Sequence, residues 1–90
     1  MIDPDFIADD ELDFHDFGIL DNYQIEKILY EFIENSYYLE YEKLLIISGK
    51  GKVVRPAVEK LLKKNSHVAK FKKAGYYNGQ EGAFEVILKS

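Results

Sequence analysis

Two residues near the start of the chain, Asp13 and His15, are of types that can carry out acid–base chemistry together. They lie two positions apart in the alternating sequence L-D-F-H at 12–15, so on a β-strand both side chains would project from the same face. A carboxylate beside an imidazole could assist cleavage of a phosphodiester or hold a divalent cation. The simpler interpretation is that Asp13 faces solvent while His15 hydrogen-bonds a nearby loop, and the pattern alone favours it.

A second candidate site is the sequence S-G-K-G-K at 48–52, between a predicted strand and a predicted helix. Its glycines let backbone N–H groups approach a phosphate, and the start of the helix adds positive potential. The spacing fits neither the Walker A loop nor G-x-G-x-x-G, so no nucleotide cofactor is expected. A plain strand-to-helix turn with solubilising lysines explains the pattern equally well. The residues predicted to contact phosphate here are Ser48, Gly49, Lys50, Gly51, Lys52 and Arg55.

A third group of residues lies towards the end of the chain. Lys72 and Lys73 are added to the predicted phosphate-binding residues because they lie on a basic predicted strand. Tyr76 and Tyr77 follow in a predicted glycine-containing turn, where they could stack on a base.

The periodicity of the sequence predicts the elements that must position these residues. Asp21 and Gln24 form a capping-box pattern at the start of the first helix, and Pro56 suits the first turn of the second. The predicted helices run from 22 to about 35 and from 55 to 64, and the predicted strands are 11–15, 43–48, 68–74 and 84–88.

The predicted order is β-α-β-α-β-β, which indicates an α/β fold of the α+β two-layer sandwich type. Right-handed crossovers make the first three strands parallel, and the short last connection returns the fourth antiparallel. The sheet is therefore expected to be four-stranded and mixed, with both helices on one face. The ends of the parallel strands then bring together His15, residues 48–52 and the predicted turn at 75–82, at the edge where ligands usually bind.

The length and composition of the chain indicate how many domains it can form and whether it is secreted or membrane-bound. Ninety residues are enough for one domain with a hydrophobic core. Residues 1–10 are charged and contain Pro4, so they are interpreted as a flexible or loosely docked extension of a domain at 11–90. The sequence has no cysteine, no signal-peptide pattern and no apolar run of membrane-spanning length. We therefore expect an intracellular, cytoplasmic protein with no membrane partner.

The charge of the chain is divided between its two halves. Residues 1–42 hold thirteen acidic residues and one basic residue, whereas residues 43–90 hold eleven basic and three acidic residues. These halves could attract each other within the fold, or the basic half could present a face to a polyanion. The sequence supports both interpretations equally.

Taken in order, three segments resemble the signature of the small MutS-related (Smr) domain family. That family is marked by L-D-L-H-G on the first strand, T-G-x-G after the second, and G-G-x-G-A followed by Thr or Ser before the last. Here the segments are L-D-F-H-D at 12–16, S-G-K-G at 48–51 and G-Q-E-G-A-F at 79–84. The resemblance covers about residues 11–89.

The resemblance implies a two-layer sandwich similar to the C-terminal domain of a bacterial translation initiation factor. It also implies nucleic-acid binding and, as in several members, endonuclease nicking of DNA or cleavage of RNA, in repair or processing. By position, Asp13 and His15 match the L-D-x-H pair tied to cleavage. Gly49 and Gly51 match the loop tied to binding or structure.

The chain departs from the family pattern at three positions. Asp16 replaces the glycine after the histidine, Gln80 replaces a glycine, and Phe84 replaces the small hydroxyl residue. Asp16 adds a carboxylate that could help Asp13 and His15 to hold Mg²⁺ or Mn²⁺, or could repel a phosphate.

The sequence thus predicts a domain that binds DNA or RNA, with endonuclease activity as the sharper hypothesis. One alternative is a binding domain without catalysis. Another is a protein-protein interaction module that uses the acidic first helix or the N-terminal extension.

Overall fold

Four β-strands form one mixed sheet in the computed structural model of the protein, which describes residues 6–49, 51–75 and 81–90. β1 pairs parallel with β2, and β4 pairs antiparallel with both β2 and β3. The order across the sheet is β1-β2-β4-β3, so the last strand of the chain lies inside the sheet. The strands are β1 (Asp10–Asp13), β2 (Lys43–Ile47), β3 (Val68–Gly75) and β4 (Glu81–Leu88).

Two α-helices, α1 (Asn22–Tyr38) and α2 (Val54–Lys64), cover one face of this sheet. The predicted capping box is confirmed, because the Asp21 side chain accepts from the Gln24 N–H and the Gln24 side chain accepts from the Asp21 N–H. α1 extends past the predicted end near residue 35, and the burial of Ser36 shows that this last turn is held by packing.

The main hydrophobic core lies between the helices and the sheet. Because alternate residues of β2 and β4 point to this side, each strand contributes every second side chain to it. The predicted α+β two-layer sandwich, with a four-stranded mixed sheet and two helices on one face, is confirmed. The fully buried residues of this core include Ile25, Ile33, Leu44, Ile46, Val58, Phe84 and Val86.

Two predicted strand boundaries differ from the structure by two residues or more. The first strand ends at Asp13 rather than at His15, and a one-turn 3-10 helix (Phe14–Asp16) follows because the Asp13 side chain caps its N-terminus. β4 begins at Glu81, so Glu81 and Gly82 belong to the strand and not to the predicted turn. Gly75 of that predicted turn ends β3, and residues 76–80, including Tyr76 and Tyr77, lie outside the described residues.

The other face of the sheet is covered in part by residues 6–9. Phe6 and Ala8 pack on a second, smaller cluster that the outer-face residues of β2, β3 and β4 form. Asp9 fixes this segment, because its N–H donates to the Lys43 carbonyl (2.7 Å) and its Oδ2 accepts from the N–H groups of Glu42 (2.9 Å) and Lys43 (3.0 Å). Residues 6–9 therefore pack against the sheet. In the described part of the chain, neither helix has the length and apolar character needed to cross a membrane.

Replacing Asp9 with alanine is expected to lower the melting temperature at neutral pH. The N–H groups of Lys43 and Glu42 hold the pKa of the Asp9 carboxyl below its ordinary value of 3.8. The ionised carboxylate therefore stabilises the folded state at neutral pH, and this contribution is lost as the pH falls through the lowered folded-state pKa. Thermal unfolding followed by circular dichroism should show a gap between wild type and variant that closes in strong acid. Equal melting temperatures at neutral pH would contradict this role.

Candidate functional site

The side chains of Asp13 and His15 contact each other at the end of β1. Asp13 Oδ1 accepts from the backbone N–H of His15 (2.8 Å) and lies 2.9 Å from His15 Nδ1. The predicted pairing of the two residues is thus present, although it arises from a capped 3-10 turn rather than from a continuous strand. A carboxylate only accepts hydrogen bonds, so it selects the imidazole form that carries its proton on Nδ1.

The apolar residues next to Asp13 and His15 in the sequence hold the pair in place. Phe14 is buried in the main core, and its ring contacts the ring of Phe17 with a centroid separation of 6.1 Å. Leu12 packs on the same core from β1. His15 is left outside, with 62% of its side chain exposed, while Asp13 is 28% exposed. The sequence L-D-F-H therefore anchors two apolar side chains and presents a carboxylate and an imidazole at the surface.

Gly49 lies directly against the imidazole of His15. A Cβ atom added to Gly49 would be 3.2 Å from His15 Cε1 and only 2.7 Å from His15 Nε2, which is closer than real Cβ atoms approach a neighbour. Gly49 also has a φ of +73°, a left-handed conformation that favours glycine. The predicted convergence of residue 15 with the loop after β2 is therefore observed. Nδ1 of the ring faces Asp13, and the Nε2 edge faces the backbone of Gly49.

The loop after β2 is tied to β4 by the carbonyl of Gly82. The N–H groups of Ser48 and Gly49 both donate to this oxygen at 3.0 Å, and Ser48 Oγ donates to the carbonyl of Gly49 at 2.9 Å. The N–H groups of Ser48 and Gly49 are thus occupied within the fold. We predicted that the backbone N–H groups of residues 49–51 cradle a phosphate, and Gly49 does not have its N–H available for this.

The basic residues after this loop lie at the start of α2. Lys52 is exposed, and it lines a groove of about 440 Å³ between the two helices. Among the described residues, no side-chain hydrogen bond caps the N-terminus of α2 at Val53. Arg55 is half-buried on the first turn, Gly51 is exposed, and Lys50 lies outside the described residues.

Lys72 and Lys73 point to opposite faces of the sheet. Lys73 Nζ lies 3.2 Å from Glu59 Oε1 of α2, whereas Lys72 Nζ lies 3.6 Å from Glu85 Oε1 on the outer face. The Lys73 ammonium, with a smaller effect from Lys63, holds the pKa of the Glu59 carboxyl below its ordinary value of 4.5. The structure therefore does not bring Lys72 and Lys73 together as one phosphate-binding pair.

The three residues proposed as metal ligands do not form a cluster. Across residues 6–49, 51–75 and 81–90, no group of three or more histidine and acidic side chains lies close enough to hold a metal ion. Asp16 is exposed at the end of the 3-10 turn, next to the Asp13–His15 pair in sequence. These positions do not fit a complete Mg²⁺ or Mn²⁺ site.

The chain belongs to the Smr domain family, whose sequence model matches residues 12–89. Smr domains are known as nucleic-acid-binding domains. The match includes L-D-F-H, S-G-K-G and G-Q-E-G-A-F, the three segments from which the family was predicted. No curated protein matches the sequence.

Two solved structures have the same fold. The Smr domain of Thermus thermophilus MutS2 is similar with a TM-score of 0.77 and 23% identity, over 90% of this chain and 99% of that one. YdaL, a stand-alone small MutS-related protein from Escherichia coli, is similar with a TM-score of 0.72 and 24% identity, over 89% of this chain. This chain spans 64% of the length of YdaL.

Sequence reasoning missed two features of the site. The first is the Gly82 carbonyl, which fixes the loop that contacts His15; its place in the third motif was the available signal. The second is the direct contact between His15 and Gly49, which are far apart in sequence. No local pattern encodes that contact.

Proposed function

We propose that this domain binds nucleic acid at the edge formed by His15 and Gly49 and cleaves the phosphodiester backbone there. The observation that carries the proposal is the orientation of the imidazole. Asp13 fixes Nδ1, so Nε2 is left as the proton acceptor at the loop, in a side chain that remains open to solvent. An oriented histidine of this kind is suited to general base catalysis.

In the proposed reaction, Nε2 of His15 removes the proton from a hydroxyl group that attacks the phosphorus atom. That hydroxyl belongs to water or to a ribose. A new P–O bond forms as the bond to the leaving oxygen breaks, and the leaving oxygen receives a proton from the imidazolium or from solvent. Asp13 stabilises the imidazolium between these events. No step is assigned to a metal ion, because the described side chains do not form a complete metal site.

Lys52 is proposed to hold the backbone of the nucleic acid beside this edge. It is exposed, directly precedes Val53, the N-cap residue of α2, and lies three residues after Gly49. Its ammonium group would supply positive charge at an edge where Asp13 and Asp16 supply negative charge.

Cleavage of labelled single-stranded RNA, labelled single-stranded DNA and supercoiled plasmid tests this function. Each substrate is incubated with wild type and with the double variant Asp13→Ala/His15→Ala, in Mg²⁺, in Mn²⁺ and in chelator. His67→Gln is the matched control. His67 lies just before β3, at the end of the sheet opposite to the Asp13–His15 pair, and its side chain pairs with Glu34 (2.8 Å). Cleavage by wild type and control but not by the double variant is expected. A clean wild-type protein that cleaves none of the substrates would refute the enzymatic part and leave a binding domain.

Replacing Lys52 with glutamine is expected to reduce the salt dependence of binding. Each phosphate contact that is lost lowers the slope of log affinity against log salt by about 0.9 for duplex DNA and about 0.7 for a single strand. The matched control is Lys27→Gln, which removes the same charge from an exposed position on α1. Fluorescence anisotropy at several salt concentrations measures the slope. An unchanged slope in the Lys52 variant would place the contact elsewhere.

A second candidate function, binding of a protein through α1, is favoured by the surface of that helix. Tyr23, Tyr30 and Tyr38 are exposed there among acidic residues. Retention on heparin at low salt separates the two functions, because an acidic protein-binding surface would not retain the domain. Elution in the flow-through would favour protein binding.

A further inference from the structure

The outer face of the sheet carries a pocket that the proposed cleavage mechanism does not use. Its volume is about 320 Å³. It lies between the segment 6–9 and the outer-face residues of β2, β3 and β4. Its lining includes Phe6, Lys43, Lys70, Lys72, Glu85 and Ile87.

The pocket carries more positive than negative charge. Three lysines and one glutamate line it, and Glu85 is only 4% exposed. A carboxylate at this depth requires a charged partner, and Lys72 Nζ lies 3.6 Å from its Oε1. Because Lys72 offsets Glu85, Lys43 and Lys70 add a net positive charge of two to the pocket. This charge suits a ligand that carries a phosphate.

The strand register places Lys43 and Lys70 on either side of Ile87. Both residues pair with Ile87 of β4, Lys43 from β2 and Lys70 from β3. Their Cα atoms are therefore about two strand spacings apart, or roughly 10 Å. Lysine side chains are long enough to converge across that gap on one phosphate group.

Phe6 gives the pocket an aromatic wall. Its ring packs against the outer-face cluster, and Lys43 Nζ lies over the ring, 6.0 Å from its centroid. The ammonium group therefore has to turn from the ring to the phosphate when a base stacks there. Proteins that bind single-stranded nucleic acids combine a flat aromatic ring with ammonium groups. A base stacks on the ring while the nucleic-acid backbone contacts the cations.

We propose that this pocket binds one nucleotide of a single-stranded nucleic acid. The base stacks on Phe6, and the adjacent phosphate contacts Lys43 and Lys70. A paired base within a duplex does not expose its face for such stacking, so the pocket selects single strands. The proposal rests on the proposed nucleic-acid binding and adds a second contact on the outer face of the sheet.

Anisotropy titrations of an oligothymidylate of about eight nucleotides test the pocket. Lys43→Ala/Lys70→Ala should lower the salt slope by about 0.7, because it removes the contact with one phosphate and each single-strand phosphate contributes about 0.7. Phe6→Leu keeps an apolar side chain on the sheet and should weaken binding about tenfold, through lost stacking. Lys72 is left unchanged, because its removal would leave Glu85 buried without that partner. The matched control Lys27→Ala/Lys89→Ala removes two exposed lysines that do not line the pocket, and circular dichroism verifies that each variant folds.

The remaining titrations show whether the pocket binds a nucleotide within a single strand, a nucleotide within a duplex or a free nucleotide. A duplex of the same length should bind wild type and pocket variants equally, and thymidine monophosphate should bind far more weakly than the strand. Tight binding of the monophosphate that depends on Lys43 and Lys70, with strand affinity unchanged, would overturn the assignment to a strand. If the pocket variants bind the strand as wild type does while Lys52→Gln weakens it, the pocket proposal fails and the proposed function stands. If wild-type protein binds the duplex but not the strand, only the pocket proposal fails; if it binds neither, both fail.

Discussion

Replacing His15 with alanine should abolish strand cleavage while leaving the fold and the affinity for nucleic acid nearly unchanged. General base catalysis by a positioned side chain contributes about 10²- to 10⁴-fold to a rate, and the variant loses that contribution. The imidazole is largely exposed, so its removal takes no apolar side chain from the core. A single-turnover rate with labelled strand measures the effect, and circular dichroism verifies the fold.

Asp13→Asn provides the matched comparison for His15→Ala. The amide can still accept from the His15 N–H and preserve the 3-10 turn, but it cannot stabilise an imidazolium as a carboxylate does. Its rate should lie between those of wild type and His15→Ala. Cleavage by His15→Ala at the wild-type rate would show that the imidazole does not take part.

Replacing Gly49 with alanine should lower both cleavage and stability. The new Cβ would stand 2.7 Å from His15 Nε2, so the imidazole would have to leave its position beside Asp13. The left-handed φ of +73° adds a backbone cost of roughly 1–2 kcal/mol for a residue with a side chain. Chemical denaturation measures the stability, and the single-turnover assay measures the rate.

Gly51 supplies the control for this substitution, since it lies two residues further along the same loop. A Cβ added to Gly51 meets no atom of the described residues within 4 Å, and the φ of Gly51 is outside the left-handed region. Gly51→Ala should therefore fold and cleave like wild type. If Gly49→Ala and Gly51→Ala behave alike, the contact between the loop and His15 has no functional role. The local geometry thus requires a glycine at Gly49, by its positive φ and its contact with His15, whereas Gly51 shows neither feature among the described residues.

The fold was largely predictable because its elements have clear periodicities. The apolar stripe of α1 specifies the face of the helix that is buried, and the continuous apolar run of β2 indicates a strand that is covered on both faces. The position of β4 between β2 and β3 was not predicted, since strand order depends on contacts across the sheet. This position also explains why Glu85 is buried. Its place in the alternation of β4 is that of a solvent-facing residue, but β4 lies inside the sheet, between β2 and β3.

The site was predictable in its residue types but not in its geometry. Asp13 and His15 were paired on the assumption of a continuous strand, whereas they meet because Asp13 caps a turn. For the loop at 48–52, the sequence predicted that the glycines let backbone N–H groups hold a phosphate. In the structure, Gly49 makes room for an imidazole, and its N–H is used by Gly82. The first difference comes from a side chain-to-backbone hydrogen bond, and the second from contacts between residues far apart in sequence; periodicity reports neither.

The imidazole nitrogen resonances of the two histidines, His15 and His67, give the most direct test of the central claim. Protein labelled with ¹⁵N at histidine is titrated with a strand that resists cleavage, and long-range proton–nitrogen spectra are recorded. His67 serves as an internal reference, because it stacks on Tyr37 (3.9 Å) and pairs with Glu34 away from the site. We expect the Nε2 resonance of His15 to move and saturate with the strand while the His67 resonances stay in place. Strand binding that shifts His67, or that leaves His15 unmoved, would contradict a site at the edge formed by His15 and Gly49.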